Sequence, residues 1–370
     1  MNLSAEAEQI VAIAAGDHHI VVVKNDGSLW VCGANEQGQL GDGSTNMRTT
    51  PIQLKSVRDI NAVACGSTHT LASTKGGAVW AWGNGETAPK QIADLKDITA
   101  VAAGSGHSLA LRRDGTVWSW GSNHRGQLGN GTTNNTSAPV QVTGLTDVTA
   151  IAAGRSHSVA LRKDGTVWSW GANNDGQLGD GTNEHRLTPV QVKGLTDAIA
   201  IAAGYYHTAA IRKDGSVVAW GGNESESWQL ADGTTMMSMT PVSVTGQTNL
   251  PATGEAIITT KEPPRPFADV VKIACGAMHT LAIKSDGSLW AWGTNHYWGQ
   301  LGDGSVEWRT NPVQPRGMTD CVAVAAGKYH SVALKKDGTL WTWGGNTHGQ
   351  LGIGTNDLEA HPIPTRVHGL

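Results

Sequence analysis

Aromatic rings other than indole are nearly missing from this chain: its 370 residues include 1 Phe and 4 Tyr beside 15 Trp. Charge is also sparse, at 16% of residues, and 27 basic against 31 acidic side chains leave a net charge of −4. With no cluster of Lys and Arg, that balance gives no electrostatic reason to expect nucleic acid. No run of about 18 apolar residues occurs, which excludes a membrane-spanning helix. The 4 Cys show no Cys-x-x-Cys spacing and the His no His-x-x-x-His spacing, so zinc-ligand patterns are missing. What the chain has in excess is Gly, 48 residues, within a composition that is 39% hydrophobic. That is too apolar for disorder and too interrupted for a helical bundle.

The excess Gly belongs to an internal repeat. One pattern recurs seven times, and residues 148–181, VTAIAAGRSHSVALRKDGTVWSWGANNDGQLGDG, are its clearest copy. Its fixed points are a Gly-x-x-His step, an Asp-Gly turn and a Trp-x-Trp-Gly segment. The steps end at His19, His69, His107, His157, His207, His279 and His330, at intervals of 50, 38, 50, 50, 72 and 51. Segments flanking the Asp-Gly turn, such as SVAL and TVWSW, alternate β-branched or aromatic residues and read as a hairpin. The small-residue run before them (AIAAG) and the PVQV segment after the Gly-rich loop supply two more strands. Four antiparallel strands repeated seven times predict an all-β, seven-bladed β-propeller. The chain starts within one unit and ends on PIPTRV, so the expectation is a single domain over 1–370, closed by its N- and C-terminal strands in one shared blade.

Six units carry Trp at the first position of Trp-x-Trp-Gly (Trp30, Trp80, Trp118, Trp168, Trp290, Trp341) and six at the second (Trp82, Trp120, Trp170, Trp220, Trp292, Trp343). Residues two apart on a strand share a face, so each blade offers an indole pair to its neighbour, except where Cys32 and Val218 substitute. Burying each indole is worth about 5 kcal/mol as an upper bound. The seven His, one per unit after Gly, read as buried hydrogen-bonding groups reaching a neighbouring backbone. Cys32, Cys65, Cys275 and Cys321 read as small core residues in units too far apart to pair. Asp26 and its repeats, and Asp42, Asp180 and Asp303, read as turn residues that satisfy local backbone donors.

Gly-x-x-His, Asp-Gly, Trp-Gly and GQLGDG together resemble the regulator of chromosome condensation repeat family, over roughly residues 10–370. The resemblance implies a seven-bladed propeller and a shared scaffold with varied surfaces, including exchange factors for the GTPase Ran and a plant ultraviolet-B photoreceptor. The photoreceptor chemistry needs Trp inside Gly-x-x-His, and none of the seven steps here has one.

Strand direction puts the Gly-x-x-His steps and the GQLGDG loops on one face and the Asp-Gly turns on the other. Trp228, Trp298 and Trp308 lie outside the core motif, in loops of units five and six. With Tyr205, Tyr206, Tyr297, Tyr329 and Met278 they fall between residues 205 and 329, one sector of that face. Arg155 and Lys328 occupy Gly-x-x-His steps beside them. Such aromatic and Met clusters suit a protein interface or a sugar platform, and equally loops that pack on themselves. Unit two lacks the GQLGDG loop, and unit five carries an insertion at 245–269 that holds Phe267, the one Phe.

No phosphate loop, Gly-x-Ser-x-Gly elbow or dense carboxylate loop is present. The expectation is a non-catalytic scaffold without metal or cofactor, binding a protein partner through Arg155, Tyr205, Tyr206, Trp228, Met278, Tyr297, Trp298, Trp308, Lys328 and Tyr329. Exchange activity on a small GTPase and carbohydrate binding are the alternatives. Cysteines without a pairing scheme and no secretory signal before the first strand suggest a cytoplasmic protein, with secretion left open.

Overall fold

Alternating apolar residues and Asp-Gly turns fold each unit into a four-stranded sheet of consecutive strands. In the first blade β1 (Ile10–Ala15), β2 (His19–Lys24), β3 (Leu29–Gly33) and β4 (Arg48–Leu54) pair antiparallel in that order. The β2–β3 turn forms as the sequence predicts: Asp26 Oδ1 accepts the Ser28 N–H at 2.8 Å, and Gly27 takes φ 77°. The computed structural model describes residues 9–223, 228–246 and 266–370. Six further blades repeat the topology over 60–91, 98–141, 148–191, 198–243, 270–313 and 321–366.

β1 and its equivalents are innermost, each lying against the inner strands of the blades on either side. They come close because the residue before each motif Gly is small: Ala15, Cys65, Ala103, Ala153, Ala203, Cys275 and Ala326 line a narrow central channel. The motif Gly is demanded by two neighbours. A Cβ on Gly16 would lie 2.3 Å from His19 Cε1 and 2.4 Å from Gly66 O. The same approach runs from Gly66 to Gly104 and onward around the ring until Gly327 meets Gly16 O.

The ring therefore closes, but without the shared blade that the termini suggested. β1 pairs within its own blade, and the last strand, His361–Arg366, pairs with Leu340–Gly344 of the seventh. Short local turns set each register inside one unit, so no strand is left over. Closure is by packing, with Ile20, Val22 and Cys32 against Val332, Leu334 and Leu340.

Joints between blades are polar at their centres. His107 Nε2 bonds Ser158 Oγ of the next blade at 2.9 Å. That hydroxyl donates to Gln127 O, in the GQLG loop of the third blade, at 2.8 Å, and Trp170 Nε1 donates to the same carbonyl at 2.9 Å. The His partner is thus a hydroxyl and not the backbone that the sequence suggested, and the residue after each His supplies it. His19–Thr70, His69–Ser108, His157–Thr208, His207–Thr280 and His279–Ser331 repeat the bond at 2.9 to 3.1 Å. At the closing joint Ile20 stands in the hydroxyl's place and Cys32 in the indole's. His330 Nε2 is buried there without a partner. Farther out, the loop-to-strand bond that other joints make, such as Gly131 N–H to Leu187 O at 2.9 Å, is kept here as Gly354 N–H to Thr49 O at 2.9 Å.

The two indoles of a pair have different roles. Second-position rings are fully buried on the next-door loop, apart from Trp120 at 6% exposure, whose neighbour is the blade with no such loop. First-position rings are half-buried, and five of the six lie under a cation, as with Lys24 over Trp30 at 4.5 Å and Arg162 over Trp168 at 5.9 Å; in the second blade Thr74 stands where the cation would be.

Candidate binding face at the channel mouth

Because β1 and β3 run toward the same end, each Gly-x-x-His step and each GQLGDG-type loop emerge on the channel-mouth face. In the second blade that loop shrinks to a turn at Asn84 and Gly85 between Val79–Gly83 and Glu86–Gln91, so the mouth is low there. Among the described residues the other loops are braced by side-chain hydrogen bonds. Asn35 Oδ1 accepts the Leu40 N–H at 2.9 Å, and Asn35 Nδ2 reaches Asp42 at 3.0 Å. Arg48 bonds Asp42 at 2.6 and 2.9 Å, and Arg186–Asp180 and Arg309–Asp303 repeat the pair. Burial pushes the Asp42 carboxyl up, but the bonds from Arg48, Ser44 and Asn35 hold it below the usual range. These Asp act as loop braces. Among the described residues no group of three or more His, Cys, Asp or Glu could hold a metal ion.

Tyr205 crosses the mouth. Its hydroxyl bonds Asp17 of the first blade and lies 3.5 Å from Ser67 of the second, so one side chain from the fifth blade spans the channel. Burial, with the Asp17 charge added, pushes its phenol above the ordinary value. Tyr206 stands edge-on to it, centroids 6.0 Å apart. Arg155, exposed, places its guanidinium 5.6 Å from the Tyr205 ring and 5.5 Å from the Tyr206 ring and donates to the Tyr206 hydroxyl. The structure thus brings Arg155, Tyr205 and Tyr206 together.

Tyr329 and Trp298 form a second group. Their rings are 6.5 Å apart at 26°, Lys328 Nζ lies 5.3 Å from the Tyr329 ring, and Trp298 lies over Gly345. Trp228 and Trp308 form a third, edge-on at 5.5 Å, with His296 5.3 Å from Trp308 and Tyr297 3.8 Å from His296. All three of these Trp are half-buried, and the Trp228 and Trp308 indole N–H groups are buried without a partner. Met278 is half-buried at the mouth. The exposed apolar area of the sector comes instead from Tyr297, 73% exposed, and from Met236, 74% exposed, with Met237 and Met239 beside it.

Phe267 belongs to the core, 3% exposed and 5.5 Å from Trp290. It sits just past the Thr245–Pro266 bridge that closes the neck of the insertion, on the face opposite the mouth. Positions 247–265 lie outside the described residues, and so does any role for an arm there. Asp17 and Arg125 were missed at the sequence level. Asp17 occupies the same step as Arg155 and Tyr205, and Arg125 follows His124 in the third loop; a charge comparison of equivalent loop positions would have found both.

The sequence profile of the RCC1-like domain matches residues 2–253 and 86–370. Over 99 residues the chain is 42% identical to the X-linked retinitis pigmentosa GTPase regulator homolog of Caenorhabditis elegans, covering 26% of this chain and 7% of that one. Over 102 residues it is 35% identical to the mitochondrial RCC1 domain-containing protein RUG3 of Arabidopsis thaliana, covering 27% of this chain and 22% of that one. The matches therefore span less than a quarter of either relative's length. Human WBSCR16 superposes with a TM-score of 0.75 at 25% identity, covering 93% of this chain and 94% of that one. Yeast RCC1 (Prp20), solved with Kap60, gives 0.77 at 21%, covering 98% and 84%, a likeness of fold.

Proposed function

The chain belongs to the RCC1-like domain family, and from its uneven mouth we propose that it is a non-catalytic binding module whose protein partner docks on the sector of blades four to seven. One observation carries this reading. The joints repeat around the ring, whereas the exposed Tyr297 and Met236, Met237 and Met239, with the Tyr205–Tyr206–Arg155 group, occur in one sector. Flexible Met and amphipathic Tyr are the side chains that interfaces favour. The four cysteines are free, in keeping with a reducing compartment as part of the same proposal.

The test is recovery of a partner from cell extract by the full chain and by a variant combining Tyr297→Ala, Met236→Ala and Met237→Ala. Loss of the partner with an unchanged melting temperature is expected. Undiminished recovery rejects the sector.

Exchange activity on a small GTPase is the second reading. It is favoured by the 42% match to a relative named as a GTPase regulator homolog, and by the structure of Prp20p described with its binding to Gsp1p and histones, which resembles this chain with a TM-score of 0.58. Faster release of labelled nucleotide from a GTPase panel would support it, and no acceleration would remove it. Carbohydrate binding gains nothing from Trp228 and Trp308, which cross at 84° and offer no flat platform.

A further inference from the structure

A cleft of about 290 Å³ opens beside the channel mouth, walled by Arg125, Arg155, Asn174, Asp175, Tyr205 and Tyr206 among others. We propose that this cleft is an oxyanion site that receives the side-chain carboxylate of an acidic segment of the protein partner. The inference rests on the binding-face reading and gives that partner its chemistry.

Charge comes first. Two guanidiniums against the one carboxylate of Asp175 make the cleft locally positive on a chain whose net charge is −4. Geometry comes second. Arg155 is held between two Tyr rings and tied to the Tyr206 hydroxyl, so little side-chain entropy remains to be lost when its other N–H groups take a ligand. The Tyr206 hydroxyl, having accepted from Arg155, keeps its own hydrogen to donate.

Arg125 faces a group that cannot satisfy it. His185 Nδ1 accepts the Asn173 N–H at 3.0 Å, so in a neutral ring the proton is on Nε2. Burial and the Arg125 charge lower the His185 pKa and favour that neutral ring. His185 Nε2 lies 3.2 Å from Arg125 Nη1, which makes two donors facing each other with no acceptor between them. His185 thus leaves the Arg125 guanidinium, which lines the cleft, in need of an acceptor, and an oxyanion in the cleft supplies one with the strength of a charge-assisted bond.

Size and surroundings choose among anions. The volume falls just under the range of about 300–1,000 Å³ typical of sites for drug-sized ligands, enough for a side chain and its neighbours. The cleft lining holds two cations, Arg125 and Arg155, short of the run of cations that follows a nucleic-acid backbone.

The experiment measures anisotropy of a fluorescein-labelled octaglutamate peptide with the full chain. Arg125→Ala with Arg155→Ala should weaken binding by at least about tenfold, since two charge-assisted contacts are removed. Lys213→Ala, in the Asp-Gly turn on the opposite face, should leave it unchanged. Both arginines are exposed, so the melting temperature should not move. Binding within twofold of the parent in the double variant overturns the site, as does no binding of the peptide to the parent chain. An arginine-dependent preference for an eight-residue thymidine oligonucleotide, or full displacement of the peptide by inorganic phosphate at constant ionic strength, assigns the cleft to phosphate and overturns the carboxylate. The Tyr297→Ala, Met236→Ala, Met237→Ala variant should still bind the peptide. A partner lost with that variant but kept by the arginine double variant sinks the cleft alone, and a partner kept by both sinks the binding face.

Discussion

The inside of this propeller is nearly the same seven times over, and its mouth is different seven times over. Six joints share the His–hydroxyl bond between blades. The two positions between Gly and His, which look out at the mouth, hold a different pair in each blade, from Asp17 and His18 to Lys328 and Tyr329. The contrast teaches that assembly consumes the Gly, His, Ser/Thr and Trp positions, leaving the mouth free to vary without cost to the ring. Substitutions inside should change stability and spare binding, while those at the mouth should do the reverse.

Acid should break the inside first, with the largest effect. Burial lowers His19, His107, His157 and His207 to about 3 and His69 and His279 to about 4, and lowers His330 too. Their folded pKa values lie below the unfolded value of about 6.5, so the unfolded chain binds more protons as pH drops. Stability is whole above about pH 6.5 and falls from there down toward pH 3 to 4. With seven such groups the slope approaches a ceiling of roughly 9 kcal/mol per pH unit. Denaturant melts at pH 7.5, 6 and 5 should show a steep loss, and a flat profile would mean that the seven rings are not buried neutral.

A single interior hydroxyl comes next. Thr208→Val keeps the shape but strands His157 Nε2, which Thr208 bonds at 3.0 Å, and leaves Gln177 O with the Trp220 indole N–H as its remaining donor. The cost should be about 1–3 kcal/mol in urea unfolding, with octaglutamate binding unchanged.

The closing joint is the interior's own exception, and it gives a smaller test of opposite sign. Ile20→Thr and Ile20→Val remove similar volume, but only Thr can accept from His330. Thr should be more stable than Val by about 1–2 kcal/mol. Equal stability would show that His330 does not miss its partner. At the mouth, Tyr297→Ala should move stability by no more than about 0.5 kcal/mol, because the ring is 73% exposed.

Much of the ring was legible because its parts are local. Asp-Gly turns, alternating strands and the missing loop of the second blade all follow from short-range chemistry. The shared closing blade was misread because a chain end inside a repeat says nothing about which strand pairs with which. The His partner was misread although Thr70, Ser108, Ser158, Thr208, Thr280 and Ser331 stand next to the His in sequence. Each bonds across to the His of the preceding blade, a contact set by the stacking of sheets and not by any turn. The mouth was legible as a sector but not as geometry. Trp228 and Trp308, in loops of different blades, turn toward each other, and Tyr205 reaches Asp17 across 188 positions.

The separation of an assembling interior from a binding mouth is tested most directly by site-specific photo-crosslinking. A benzophenone side chain is placed at Tyr297 of the mouth in one variant and at Lys336 of the opposite face in another, and each is irradiated in cell extract. The account predicts a discrete protein adduct from position 297 and none from 336. An adduct from 336 alone would contradict it.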